Sequence, residues 1–379
     1  MKRFRIILLI TFASSTDLSA QDIFTNQNSL VVINAGVPFV VEGSASNSGL
    51  ILNEGALRLS GDWSNSGDYR SVSGTFTLSG ENQIFDPGAS TYGHLSINSS
   101  GMAVINDLII GQSLELVNGV VSLTSESKIL LSENAFISGG NADAYIDGAL
   151  FTSTLGNFTF PVGTESEYLP VTLTNIQATD SVGVRAHSSP LAASVSSQID
   201  AFSQSRYWEV IGSPSFTAEA ITLPLINENF IENEEEAVIG ISSLDQSVLS
   251  VLGLPSMEGT LESGFISTSA NIPAGYYVLA DKSILGPPIK VINVVTSMQD
   301  GKHDFLRIEN IEFYEDNLVE IFDRQGIKVF EMKGYNNADR VFRGSANVGS
   351  RGVLQTGSYY YTVKLTSSKR EAGFVYIKN

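Results

Sequence analysis

Short apolar runs, cut by turn residues every few positions, fill this chain from about residue 30 onward. Val, Ile, Leu, Thr, Phe and Tyr cluster between Asn-Gly, Ser-Gly and Gly-Asp pairs, and no long stretch carries helical spacing. That pattern predicts an all-β protein. Between residues 30 and about 150 the punctuation is also periodic. Glycines at 43, 49, 55, 61, 67, 74 and 80 fall six residues apart, with one step of seven. Ser46-Asn47-Ser48-Gly49 returns 18 residues later as Ser64-Asn65-Ser66-Gly67, and the Gly55–Gly61 block returns 19 later as Gly74–Gly80. Such self-similarity predicts a β-solenoid-like repeat region over residues 21–150, each coil sharing its core with its neighbours. On this reading Leu50, Leu52, Leu57 and Leu59 point inward, and glycine sits at the corners because it accepts positive φ. A sandwich with Gly-rich hairpins shares the rhythm, but the near-identical repeats favour the solenoid.

Beyond residue 150 the glycine beat stops. Asn157-Phe-Thr-Phe-Pro161-Val-Gly163, Tyr168-Leu-Pro-Val-Thr-Leu173, Arg206-Tyr-Trp208-Glu-Val210 and Ala274-Gly-Tyr-Tyr-Val-Leu279 read as short strands. They predict an antiparallel β-sandwich over residues 151–283. Gly286-Pro287-Pro288 then marks a stiff linker at 284–288. In the last part, residues 289–379, Val319 and Ile321 alternate with Leu318, Glu320 and Phe322. Asp323-Arg324-Gln325-Gly326 supplies a hairpin turn, and Tyr359, Tyr361, Val363 and Leu365 alternate with Tyr360, Thr362 and Lys364. An immunoglobulin-like sandwich is the expected form of this segment.

The blocks of this tail stand in a recognisable order: Val291-Ile-Asn-Val-Val295, Asp300-Gly301-Lys-His-Asp304-Phe-Leu306, Ile311-Glu-Phe-Tyr314, Val319 to Gly326, Thr356-Gly-Ser-Tyr-Tyr-Tyr361 and Gly373-Phe-Val-Tyr-Ile-Lys378-Asn379. They resemble the gliding-motility-associated C-terminal domain, the type B sorting domain of type IX secretion. The resemblance implies recognition by the type IX secretion machinery through residues 289–379, and delivery to the outer-membrane surface or the extracellular space. It assigns a sorting role to Asp300, Gly301, Asp304, Arg324, Gly326, Gly357, Tyr359 and Lys378. The chain departs from the family pattern at two places. Ser297-Met298-Gln299 replaces its usual Pro-Asn-Gly, and Gln325 its frequent Trp. The 151–283 blocks similarly resemble a region that precedes such domains in other cargo.

The front end agrees with export. Lys2, Arg3 and Arg5 precede an apolar run at 6–13 and the small-residue sequence Leu18-Ser19-Ala20, the form of a signal peptide over residues 1–20. No later window is apolar for the length a membrane helix needs, so no transmembrane segment is expected in the mature chain.

Charge and composition narrow the function. Residues 289–379 carry 13 Lys and Arg against 11 Asp and Glu, and residues 1–20 carry three against one; each balance is +2. With −18 for the whole chain, residues 21–288 hold −22. A body this acidic repels nucleic acid and anionic headgroups. The absence of cysteine rules out disulfides and thiolate metal sites. Asp300-Gly301-x-x-Asp304 offers too few oxygen ligands at alternating positions for a calcium loop. Glu232 and Glu234–Glu236 read as a solvated loop. His94 reads as a polar turn residue, and Trp63 and Tyr69 as core or corner residues rather than a sugar platform. No catalytic, cofactor-binding or metal-ligating residue is assigned, and no cofactor. The expectation is a non-enzymatic, exported surface protein, adhesive or structural, with possible contact to surface glycans. The alternative is a carbohydrate-binding or polysaccharide-degrading protein with its site on the solenoid or the middle sandwich.

Overall fold

The computed structural model describes residues 23–196, 198–231, 233–245, 248–283, 288–296, 302–314, 316–349, 352–365 and 370–378. The expected signal peptide and all of the linker but Pro288 lie outside them. Strand accounts for 58% of the described residues and helix for 2%, in an all-β fold with a solenoid-like arrangement of about seven turns. Backbone contacts divide the chain into one unit of residues up to 194 with 202–281, and another of 195–201 with 282–379.

Each early coil makes three short strands. The first coil has Phe24–Asn26, Leu30–Ile33 and Pro38–Val41, and the second has Ala45–Asn47, Leu50–Asn53 and Ala56–Leu59. Equivalent strands pair in parallel from coil to coil, so equivalent inward side chains stack. Leu57, Phe76 and Leu95 are consecutive partners in one buried file, and Leu59, Leu78 and Ile97 in the next. Strand Leu108–Asn118 pairs along its length with Thr91–Asn98 and, on its other side, with Lys128–Leu131 and then Phe136–Gly139.

Two details of the coil differ from the sequence reading. Leu57 and Leu59 are buried, but Leu50 and Leu52 are only half-buried, and Ile51 and Asn53 take the inward positions. The cause is at the corner. The Asn53 side chain turns in to donate to Tyr69 Oη (2.8 Å) and the Thr75 carbonyl (2.9 Å), and it accepts from Gly55 N–H (3.1 Å). With side chains alternating along a strand, an inward Asn53 sends Leu52 and Leu50 out. The corner glycines also have a different reason. Gly67 and Gly80 do not have positive φ; a Cβ there would stand 2.3 Å from the Gly49 carbonyl oxygen and 1.9 Å from that of Ser60. Glycine is needed because the backbone of the preceding coil lies against it.

Near residue 150 the pairing direction changes while the sheet continues. Strand Ala149–Thr152 pairs in parallel with Lys128–Leu131 and antiparallel with Val182–His187. Tyr207–Ile211, Gly275–Lys282, Ala237–Ser242 and Val248–Val251 extend the sheet antiparallel. A second antiparallel sheet is ordered Gly156–Phe160, Val171–Ile176, Ala218–Ile226, Ser263–Ile272, Leu254–Gly259. Its buried Phe160, Leu173, Leu223 and Ile266 share one hydrophobic core with Trp208, Val210, Tyr277 and the solenoid interior.

The other unit has its own core, which includes Val295, Ile308, Val319, Ile321, Phe330, Phe342, Val363 and Ile377. Its main sheet has five strands in the order Val294–Thr296, Arg370–Lys378, Gly357–Lys364, Leu318–Phe322, Lys328–Lys333. Two further two-stranded ladders join Lys290–Val291 to Ile308–Glu309 and Ser345–Ala346 to Gly352–Val353. The 318–333 hairpin has the expected alternation, with Val319 and Ile321 fully buried and Ile321 opposite Phe330.

Candidate functional site

Most of the described sorting-motif residues meet at one end of the five-stranded sheet. Register fixes this: Phe322 stands opposite Tyr360, Gly357 opposite Ile377, and Thr296 opposite Lys378. The turn after Phe322 is closed by Asp323, whose carboxylate accepts from the N–H groups of Gln325 and Ile327 (2.9 Å each). Gly326 in that turn has φ 82°, a conformation that glycine adopts without strain. The guanidinium of Arg324 lies against Gly357, where a Cβ would stand 3.3 Å from Arg324 Nη2. Tyr359 is partly buried and donates its hydroxyl to the Gln355 carbonyl (3.1 Å). Lys378 is exposed. Thr296 ties in the bend before Asp304 by donating its N–H to the His303 carbonyl (2.8 Å) and its Oγ1 to that of Lys302 (3.1 Å). Strand register thus sets the Thr296 bend, Arg324 with Gly357, and Lys378 at the same end of the sheet. Asp300 and Gly301 lie outside the described residues, as do Ser297–Gln299.

In the middle sheets the blocks 168–173 and 206–210 are in direct contact. Trp208 is fully buried and donates Nε1–H to the Leu169 carbonyl (3.1 Å). Beside it Arg206, 6% exposed, donates to the Ile226 carbonyl (2.9 Å). Its guanidinium lies 3.2 Å from Glu167 and 3.7 Å from Glu228. Nη1 is close enough to Glu167 for an ion pair but is not aligned for a hydrogen bond. Burial pushes the Glu228 carboxyl above its ordinary value, and the nearby Arg206 only partly opposes this. Nothing in the spacing of Glu167, Arg206 and Glu228 announces this cluster in the sequence; only the tertiary packing of three separate segments assembles it.

Removing the cation tests the cluster's weight. Arg206→Met leaves Glu228 buried without its cation and is expected to destabilise the chain by about 3–5 kcal/mol at neutral pH. A carboxyl with a raised folded-state value contributes stability that is complete below its unfolded value and is lost as pH rises through the folded one. The variant raises Glu228 further, so its deficit shrinks towards pH 4. Chemical denaturation of both proteins at pH 4 and pH 7 reads this; equal deficits at both would remove Glu228 from the explanation.

The solenoid candidates resolve as structural groups. Trp63 and Tyr69 are each 2% exposed. Trp63 donates Nε1–H to Tyr92 Oη (2.7 Å), and Tyr69 stacks on Tyr92 at 4.8 Å. Burial pushes the Tyr69 phenol up to about 12. His94 sits half-buried on an outer face with Nδ1 2.8 Å from Ser113 Oγ. Glu234–Glu236 form a single 3-10 turn capped by Asn233, and Glu232 lies outside the described residues.

Two of the outer solenoid faces carry mainly short or polar side chains, while the face built from Leu30–Ile33, Leu50–Asn53 and Asp68–Arg70 turns Leu30, Val32, Leu50 and Leu52 outward. Thr25, Ser46, Ser64 and Asp86 are register partners on one face, and Ile84, Ala103, Ser122 and Asp147 continue it. On another, Arg58, Thr77, Ser96, Glu115 and Ser138 form a row. Among the described residues no three His, Asp or Glu side chains converge as metal ligands, and no helix is long and apolar enough to cross a membrane.

No curated protein and no solved structure matches this chain. A sorting domain of this kind marks a secreted or cell-surface cargo. Residues 289–377 match the family model of the CHU_C type IX secretion signal domain, so the chain carries that domain at its C-terminal end.

Proposed function

We propose that residues 23–283 form a non-enzymatic surface scaffold, adhesive or structural, which the C-terminal domain delivers through the type IX route. The observation that carries this reading is the make-up of the outer solenoid faces. On one face a row of Thr25, Ser46 and Ser64, continued by Ala103 and Ser122, presents hydroxyls and small side chains. Such a face suits extended contact with a surface layer more than the grip on a single substrate that paired carboxylates provide. The mixed-charge end around Arg324, Gly357 and Lys378 is the part we assign to the secretion machinery.

A second reading, glycan binding, is favoured by the middle sheets. His187 and Tyr207 stack at 4.4 Å on the outer face, with Glu209 3.3 Å from His187 and Tyr276 edge-on to Tyr207. A shallow depression bordered by Asn175, Gln177, Thr217, Ala218, Glu219, Ala270 and Asn271 lies on the second sheet. A glycan array probed with the exported chain separates the two. Binding across no glycan class supports the scaffold; clear binding to one class, lost in Tyr207→Ala, would replace it with a carbohydrate-binding function.

A further inference from the structure

The first coil differs from those that follow it. Phe24–Asn26, Leu30–Ile33 and Pro38–Val41 each stand at the outer end of their sheet. The second coil bonds to the N–H of Phe24 and to the carbonyls of Ser29, Ile33, Val37 and Val41. Alternate residues of a strand direct their N–H and C=O to opposite sides. Thr25, Leu30, Val32 and Val40 therefore turn theirs away from the second coil, as an edge that no described strand covers and that templates further pairing.

An independent observation points the same way. Asn26, Asn47 and Asn65 are buried rungs of one ladder: Asn26 Nδ2 donates to Asn47 Oδ1 and Asn47 Nδ2 to Asn65 Oδ1, both at 2.8 Å. Every rung after the first accepts from the rung before it. Asn26 is only 3% exposed, yet among the described residues its Oδ1 has no hydrogen-bond partner. By the repeat, that oxygen takes a donor arriving from beyond the first coil.

The surface around this edge is apolar and uncharged. Ile23, Leu30, Val32, Val37 and Val40 are 45–65% exposed, and no Asp, Glu, Lys or Arg occurs from Ile23 to Val41. We propose that the first coil is an interface for a second copy of this chain, first coil against first coil about a two-fold axis. The charge selects this occupant. Two exported chains, each carrying −22 over residues 21–288 and +2 over residues 289–379, repel over most of their surface, and the first coil is a place where they meet without like charges opposed. A second copy also brings the same open strand edge, and a two-fold contact is self-complementary by symmetry. The two edges then pair antiparallel, the more stable arrangement per residue. Three short strands make a small contact, so association is weak and depends on concentration.

Sedimentation velocity on the full chain purified from the cell exterior tests this, over about 1 µM to about 100 µM. A reversible monomer–dimer transition is expected in that range, strengthened by added salt as the repulsion is screened. The double variant Val32→Lys, Val40→Lys alters two half-exposed side chains and is expected to be monomeric throughout, with an unchanged melting temperature. Ile84→Lys, on a later coil, keeps the dimer. A wild-type chain that stays monomeric at every concentration overturns the proposal, as does a dimer that survives the double substitution.

Discussion

Deleting residues 289–379 is expected to abolish arrival of the protein outside the cell while leaving the rest of the chain folded. The first half of that expectation rests on the sorting-domain match over residues 289–377. The second rests on the division of the cores. The cluster that runs from Ile33 to Leu279 contains no residue of the tail, and the tail's cluster contains none before Val295. A truncated chain therefore keeps that cluster whole, and a melting curve of the truncated form separates a trafficking defect from unfolding. Fractionation of cells making the full and truncated forms, with protease accessibility of intact cells, gives the result. The truncated form is expected inside the outer membrane at normal abundance; its appearance on the surface at the full-length level would end the sorting assignment. Within the full chain, Arg324→Ala and Lys378→Ala are expected to lower surface arrival without lowering the melting temperature. Lys378 is exposed, and Arg324 belongs to an exposed turn.

The solenoid was legible because its repeat is written twice nearly letter for letter, and each letter has a structural duty. In Ser46-Asn47-Ser48-Gly49 and its copy, the glycine admits the neighbouring backbone and the asparagine is a buried rung. Hydrophobicity alone misplaced Leu50 and Leu52. An inward amide at Asn53 sets the alternation there, and polarity patterns do not say when a polar residue is the buried one. The continuation of the sheet past residue 150 was hidden for a similar reason. Parallel and antiparallel partners of Ala149–Thr152 demand the same apolar alternation, so only the loss of the glycine beat marked the change. In the tail the block order identified the segment. That Arg324, Gly357 and Lys378 share one end follows from strand register, which pairs residues far apart in sequence. The Arg206 cluster was invisible because its members come from three separate segments.

Asn47→Ala is expected to cost about 3–5 kcal/mol, a large effect for one side chain. Asn47 is fully buried and sits mid-ladder. Its Oδ1 accepts from Asn26 Nδ2 (2.8 Å) and Gly49 N–H (3.2 Å), while its Nδ2 donates to Asn65 Oδ1 (2.8 Å) and the Asp68 carbonyl (3.3 Å). Truncation leaves several of these groups buried without a partner, and each such loss costs on the order of 1–3 kcal/mol. Asn26→Ala removes the terminal rung, whose Oδ1 is already unpartnered, and should cost less than half as much. Asn47→Asp keeps both acceptor contacts but sets a carboxylate against Asn65 Oδ1 and the Asp68 carbonyl. Its folded-state carboxyl is therefore raised, and its stability recovers as pH falls towards about 4, where the protonated acid donates again. The two tryptophans localise the damage: Trp63 lies in the third coil and Trp208 in the antiparallel sheet. Coils interact mainly with their neighbours, so Asn47→Ala should release the Trp63 signal at lower denaturant than the Trp208 signal. Coincident transitions with a cost below about 1 kcal/mol would show that the ladder is incidental to the coil and that packing of Trp63, Phe76 and Leu57 alone holds it together.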